Sequence, residues 1–148
     1  MQEPIEIHLG SGEHDRISLV FNGRRYPESK DSWHGNWLLV NVAIQVGTFA
    51  GTINGETRNE HLQDFYQKLH VLNESLVGTA TVVIEKWVEI NVEAEKYGSV
   101  QVYGHASDDQ TDGNKLQFRI KTDQSYLNQA LKGLRKVIEQ YPIVNAKE

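Results

Sequence analysis

The ten residues from Trp37 to Val46 limit this chain most. Leu38, Val40, Val42, Ile44 and Val46 occupy alternate positions, with Asn41 and Gln45 between them. Successive side chains of an extended strand point to opposite faces, so the segment predicts a strand with one side in an apolar core and the other in water. The same period of two recurs along the chain. It appears in Ile5, Ile7 and Leu9 around Glu6 and His8, and in Ile17 to Phe21. It resumes from Thr48 to Ile53 after a break at Gly47, then in Thr79–Glu85 and Trp87–Ala94. Val100, Val102 and Gly104 continue it, and Leu116, Phe118 and Ile120 form the last strand. Asn22-Gly23 reads as a hairpin-type turn closing the second strand. Ser107 to Asn114 reads as one long polar turn.

Two segments change to the helical period. Leu62, Phe65, Tyr66, Leu69, Leu72 and Leu76 recur at three and four, one apolar stripe. Thr57-Arg58-Asn59-Glu60 has the spacing of a capping box, and Gly78 is placed to stop the helix. Leu127, Ala130, Leu131, Leu134, Val137, Ile138 and Tyr141 make a second stripe, with Asp123 as N-cap candidate and Pro142 ending it. The expected fold is α+β, a single domain over 1–148. It is a predominantly antiparallel curved sheet, or two packed sheets, with amphipathic helices at about 57–76 and 123–141 on the apolar side.

Composition removes several function classes. The chain has 148 residues and no cysteine, which excludes disulfide scaffolds, thiolate zinc sites and a cysteine nucleophile. Met1 to Gly10 lacks the pattern of a signal peptide, and no apolar run approaches the roughly 20 residues of a membrane helix. A cytoplasmic location without membrane contact is therefore expected. Charge is uneven: Glu56 to Glu95 holds eight acids against three bases, while 96–148 holds six acids against eight bases. Nucleic-acid binding needs a basic face to release phosphate counterions, and the first 95 residues offer none.

No catalytic or metal pattern emerges. His8, His14, His34, His61, His70 and His105 are dispersed, and none forms the helical i, i+4 pair flanking a glutamate. Asp108, Gln110, Asp112 and Gly113 resemble the start of a calcium loop. Loop position twelve is then Arg119, a cation where two carboxylate oxygens are required. No cofactor is expected. Glu85, Glu89 and Glu93 share one outward hairpin face, either paired across strands with Arg119, Lys121 or neighbouring strands, or forming an anionic patch for a basic protein. Trp87 is read onto that face as a possible anchor, with Glu60 and Asp64 on the first helix extending the patch. The densest local feature is Tyr26 to Leu38, with Trp33 and Trp37 flanking His34 and Gly35. It reads either as aromatic packing at one end of the core or as a site for a ligand or partner.

Asp31-x-Trp33-x-Gly35-Asn36-Trp37-Leu38 resembles the hallmark loop of the WapI-type immunity proteins. The resemblance continues in order through Tyr26-Pro27, Gly47-x-Phe49-x-Gly51 and Leu62-x-x-Phe65-x-x-x-Leu69. It takes in Leu76-x-Gly78-x-Ala80, Glu85-x-Trp87, Gly104 and Asn114-x-Leu116-x-Phe118, and closes on Asp123 to Leu127 and Tyr141-Pro142. It departs at Ser32 and His34, where a tyrosine and an acid are usual, and at Ser125, where threonine is usual. The resemblance implies a cytoplasmic antidote without chemistry of its own. Such a protein binds the cognate toxin domain, frequently a nuclease with a basic cleft, and blocks its active site. The alternative is a non-catalytic small-molecule or peptide-binding domain using the Trp33–Trp37 loop. A chelator is expected to leave thermal unfolding unchanged, and a drop of several degrees would refute the metal-free reading.

Overall fold

A computed structural model describes residues 3–11, 14–85, 87–109 and 113–145. The strands are β1 (Ile5–Gly10), β2 (Arg16–Arg24), β3 (Trp37–Val46), β4 (Phe49–Arg58), β5 (Thr79–Ile84), β6 (Val88–Ala94), β7 (Ser99–Ser107) and β8 (Lys115–Asp123). The helices are α1 (Asn59–Ser75) and α2 (Leu127–Gln140). The strands form two antiparallel sheets of four, ordered β1-β2-β3-β4 and β5-β6-β7-β8, so of the two sheet arrangements expected the protein adopts two separate sheets in an α+β fold.

Alternation decides the core. Leu38, Val40, Val42 and Ile44 on β3 are each no more than 3% exposed, and Ala80, Val82 and Ile84 on β5 are equally hidden. One apolar cluster joins the inner faces of both sheets with Leu62, Phe65, Leu69 and Leu72 of α1 and Leu127, Leu131, Leu134 and Val137 of α2. Burial of this surface is the main drive to fold. The sheets meet where β4 crosses the end of β5: Glu56 and Glu85 exchange both backbone hydrogen bonds. A side chain on Gly55 would stand 2.3 Å from the Glu85 carbonyl, so only glycine permits this approach. On the other side, Thr122 Oγ1 of β8 donates to the Gly10 carbonyl of β1 at 2.9 Å.

Several local expectations give way to tertiary demands. Asn22-Gly23 is not a turn; it lies within β2 as an irregularity between Phe21 and Gly23, and the chain continues to a long loop. The Thr57–Glu60 capping box does not form. Thr57 is a buried β4 residue whose hydroxyl donates to Val83 at 3.0 Å, so α1 begins after Arg58 with no side-chain cap. At the other end Leu76, not Gly78, supplies the left-handed residue (φ 58°) that ends α1. Asp123 does cap, accepting from the Ser125 N–H at 2.8 Å, but it opens a 3-10 turn over Gln124–Tyr126 before α2. The acidic hairpin face meets the neighbouring strand β7, Glu89 facing His105 and Glu93 accepting from Tyr103, while Arg119 donates to Gln101 and lies over the Tyr103 ring. Leu69→Ala should cost about 2–5 kcal/mol, read from denaturant unfolding. A loss below about half a kcal/mol would place the α1 stripe on the wrong face.

Candidate functional site

The loop between β2 and β3 is organised by one carboxylate. Asp31 Oδ1 accepts from the backbone N–H groups of Trp33 (2.9 Å) and His34 (2.7 Å), and Oδ2 accepts from the Ser29 hydroxyl (2.8 Å). The His34 N–H foremost, and then the Ser29 hydroxyl, hold the Asp31 carboxyl well below the usual carboxylate range. His34 Nδ1 lies 3.1 Å from the same carboxylate.

Below this turn two buried asparagines tie the loop to distant chain. Asn36 is 1% exposed; its amide donates to the Ser32 and Val144 carbonyls, and its Oδ1 accepts from the Val144 N–H at 2.7 Å. Asn59, also 1% exposed, donates its backbone N–H to the Asn36 carbonyl and its side-chain amide to the Tyr141 and Pro142 carbonyls. Arg24 donates to Gly35 (2.5 Å) and Pro142 (2.7 Å) and lies over the Tyr141 ring.

The product is an aromatic platform. Trp33 and Trp37 meet edge to face, ring centres 6.2 Å apart. The Arg58 guanidinium fills the notch between them, 5.0 Å from the Trp33 ring and 5.4 Å from Trp37. Arg58 also donates to the Trp33 and Ser32 carbonyls and pairs with Glu60 at 2.8 Å. Tyr26 meets His34 edge to face at 5.4 Å, and Arg25 lies over Tyr26 while bonding Glu56. Trp33 remains 62% exposed and Tyr26 39% exposed, large rings held in water by a rigid underside.

The sequence-derived candidates fall into two groups. Trp33, His34 and Trp37 come together as read, and Glu60 joins them through Arg58. Asp64 pairs with Lys68 and lines a shallow groove with Val71, Val77 and Thr79. Thr79 is in register with Glu93, so the groove adjoins the β6 face. Glu93 accepts from Tyr103 at 3.5 Å, and Glu89 stands 3.8 Å from His105. Trp87 is half-buried in the β5–β6 turn at φ 63°, outside β6, so strand alternation does not carry it onto the Glu89 face. Sequence reading missed Arg58, Asn36 and Asn59 as the supports of the loop. In the sequence Arg58 and Asn59 carry only a helix-start pattern, and no local signal links them to a loop about 25 positions earlier.

The remaining candidates do not build a site. Asp108 accepts from the Asn114 backbone and side chain, closing a turn. Gln110 and Asp112 lie outside the described residues. Among the described residues no group of three or more His, Asp or Glu is placed to hold a metal.

This tryptophan loop is the feature by which the sequence resembled one family. The profile of the immunity protein WapI-like family matches residues 8–142, nearly the whole chain. The chain belongs to that family. A comparison with curated proteins returns no match. Among the described residues no helix is long and apolar enough to cross a membrane.

Asp31 generates a pH prediction. Its carboxyl is lowered in the fold, so its contribution is full above the unfolded value near pH 4 and is lost as pH falls through the folded value. Asp31→Ala should lower the melting temperature at neutral pH and blue- or red-shift the tryptophan emission. The gap to wild type should close only in strong acid. A gap that closes already at about pH 5 would contradict the assigned bonds.

Proposed function

We propose that this WapI-like protein acts in the cytoplasm as an immunity protein that binds and neutralises a cognate toxin domain, without catalysis of its own. The observation that carries the reading is the family match over residues 8–142. The geometry favours a docking surface centred on Trp33, with Tyr26 and His34 beside it. Tryptophan, tyrosine and arginine are the residues that dominate protein interfaces, above all when they are held rigid in the free state.

The carboxylates extend this surface. Glu60 is bound to Arg58, and Asp64 follows it one turn along α1, about 6 Å further. The groove at Thr79 leads on to Glu93 and Glu89. In this arrangement Trp33 replaces Trp87 as the anchor. The acids steer a basic cleft towards the aromatic centre. A small-molecule site at the tryptophans is disfavoured, because Arg58 already fills the space between the two rings.

The test is binding kinetics against the toxin domain encoded beside this chain. Trp33→Ala should weaken affinity by about 30-fold, mostly through faster dissociation. Glu89→Lys with Glu93→Lys should slow association, and that deficit should shrink in high salt. A folded Trp33→Ala protein with wild-type affinity would remove the platform from the interface. The antidote reading itself falls if the wild-type protein binds no such toxin.

A further inference from the structure

The four strands at the sheet borders are not equally protected. β5 packs beside α1 and β1 beside α2. β8 carries Lys115, Arg119 and Lys121 on its outward side, the charges that keep an edge from pairing. β4 has no such device along its first half. From Val46 to Gly55 there is no charged residue and no proline.

The direction of its free groups follows from the ladder. In an antiparallel pair alternate residues turn their N–H and C=O away from the neighbouring strand. Glu56 is one of these, because both its backbone groups bond Glu85. Asn54, Thr52 and Ala50 stand in the same row. Among the described residues nothing pairs with the outward backbone groups of these three. All three residues are exposed, and so is Phe49 at 65%. Behind this edge lies a cleft of about 270 Å³ lined by Ile44, Phe49, Ile53, Ala106 and Leu116, with Asp108 and Lys115 among its polar members.

We propose that the β4 edge pairs antiparallel with the same edge of a second copy of this chain. The protein carries a net charge of −5, yet here two copies meet without like charges opposed, and no charge is offered to select a foreign strand. Glu85 already occupies the edge at Glu56, and a register with the two-fold axis at Gly51 stays clear of it. Ala50 then exchanges backbone hydrogen bonds with the partner's Thr52, and Thr52 with the partner's Ala50. Phe49 stands across from the partner's Ile53, an aromatic to β-branched pair whose inward side chains reach the cleft. At the axis, nothing lies within 4 Å of where a Gly51 side chain would begin, so no side chain of the same copy crowds that face of the ribbon. The association is independent of toxin binding.

The test uses the full chain in sedimentation over a range from low micromolar to millimolar. Wild type should pass from one-chain to two-chain mass. Hydrogen exchange at the Ala50 and Thr52 amides should slow over the same range. Thr52→Lys and Thr52→Glu, at an exposed position, should each weaken association by about tenfold, and an equimolar mixture should restore it. Wild type that stays monomeric throughout overturns the proposal. So does a dimer that both variants leave intact, or a mixture that fails to restore it. Amides of Ala50 and Thr52 protected only by toxin would mean that the edge receives a partner's strand instead.

Discussion

Two buried amide side chains hold this molecule's most elaborate region together. Asn36 and Asn59 join three pieces of chain: the long loop before β3, the start of α1, and the segment from Tyr141 to Val144 after α2. A buried amide without partners costs more than its bonds return, so each such group is tolerated only where the surrounding backbone is fixed in place. The sheets position the loop ends, and the asparagines then specify the loop. Arg24 and Arg58 finish the work with donors to backbone carbonyls at Gly35, Pro142, Trp33 and Ser32. Exposed tryptophan is thereby made rigid without being hidden.

What was legible in the sequence follows the range of the forces involved. β3 is legible to the residue, Trp37 to Val46, because burial of one face imposes strict alternation. Most of both helical stripes was legible for the same reason, although α1 is shorter than 57–76 and α2 begins at Leu127. The misreadings occurred where a local pattern had two uses. Thr57 and Glu60 have capping-box spacing, but Thr57 is worth more buried on β4 with its hydroxyl on Val83. Asn22-Gly23 can turn a hairpin, yet it serves here within a strand. The aromatic loop was visible as a cluster, whereas its supports were not. Asn59 looked like one polar residue at a helix start, and its partners lie 82 and 83 positions away.

The fold separates architecture from recognition. The apolar faces of both sheets and the helical stripes share one cluster, and that cluster asks only for volume and pattern. The features that distinguish this chain lie outside it: rings standing in solvent, acids along α1 and β6, and a bare sheet edge at β4. Loop and surface residues are free to vary while the interior keeps the frame.

The link between Asn36 and Val144 spans 108 positions and runs in both directions between side chain and backbone. It gives the aromatic platform a place in time. A chain emerging from the ribosome can pair β1 to β4 early, yet the loop between β2 and β3 lacks its last partners until Val144 has been synthesised and α2 has docked. Fixing of that surface is therefore late. A half-made chain can carry the Asp31 turn and the Arg58 contacts without the anchor beneath them.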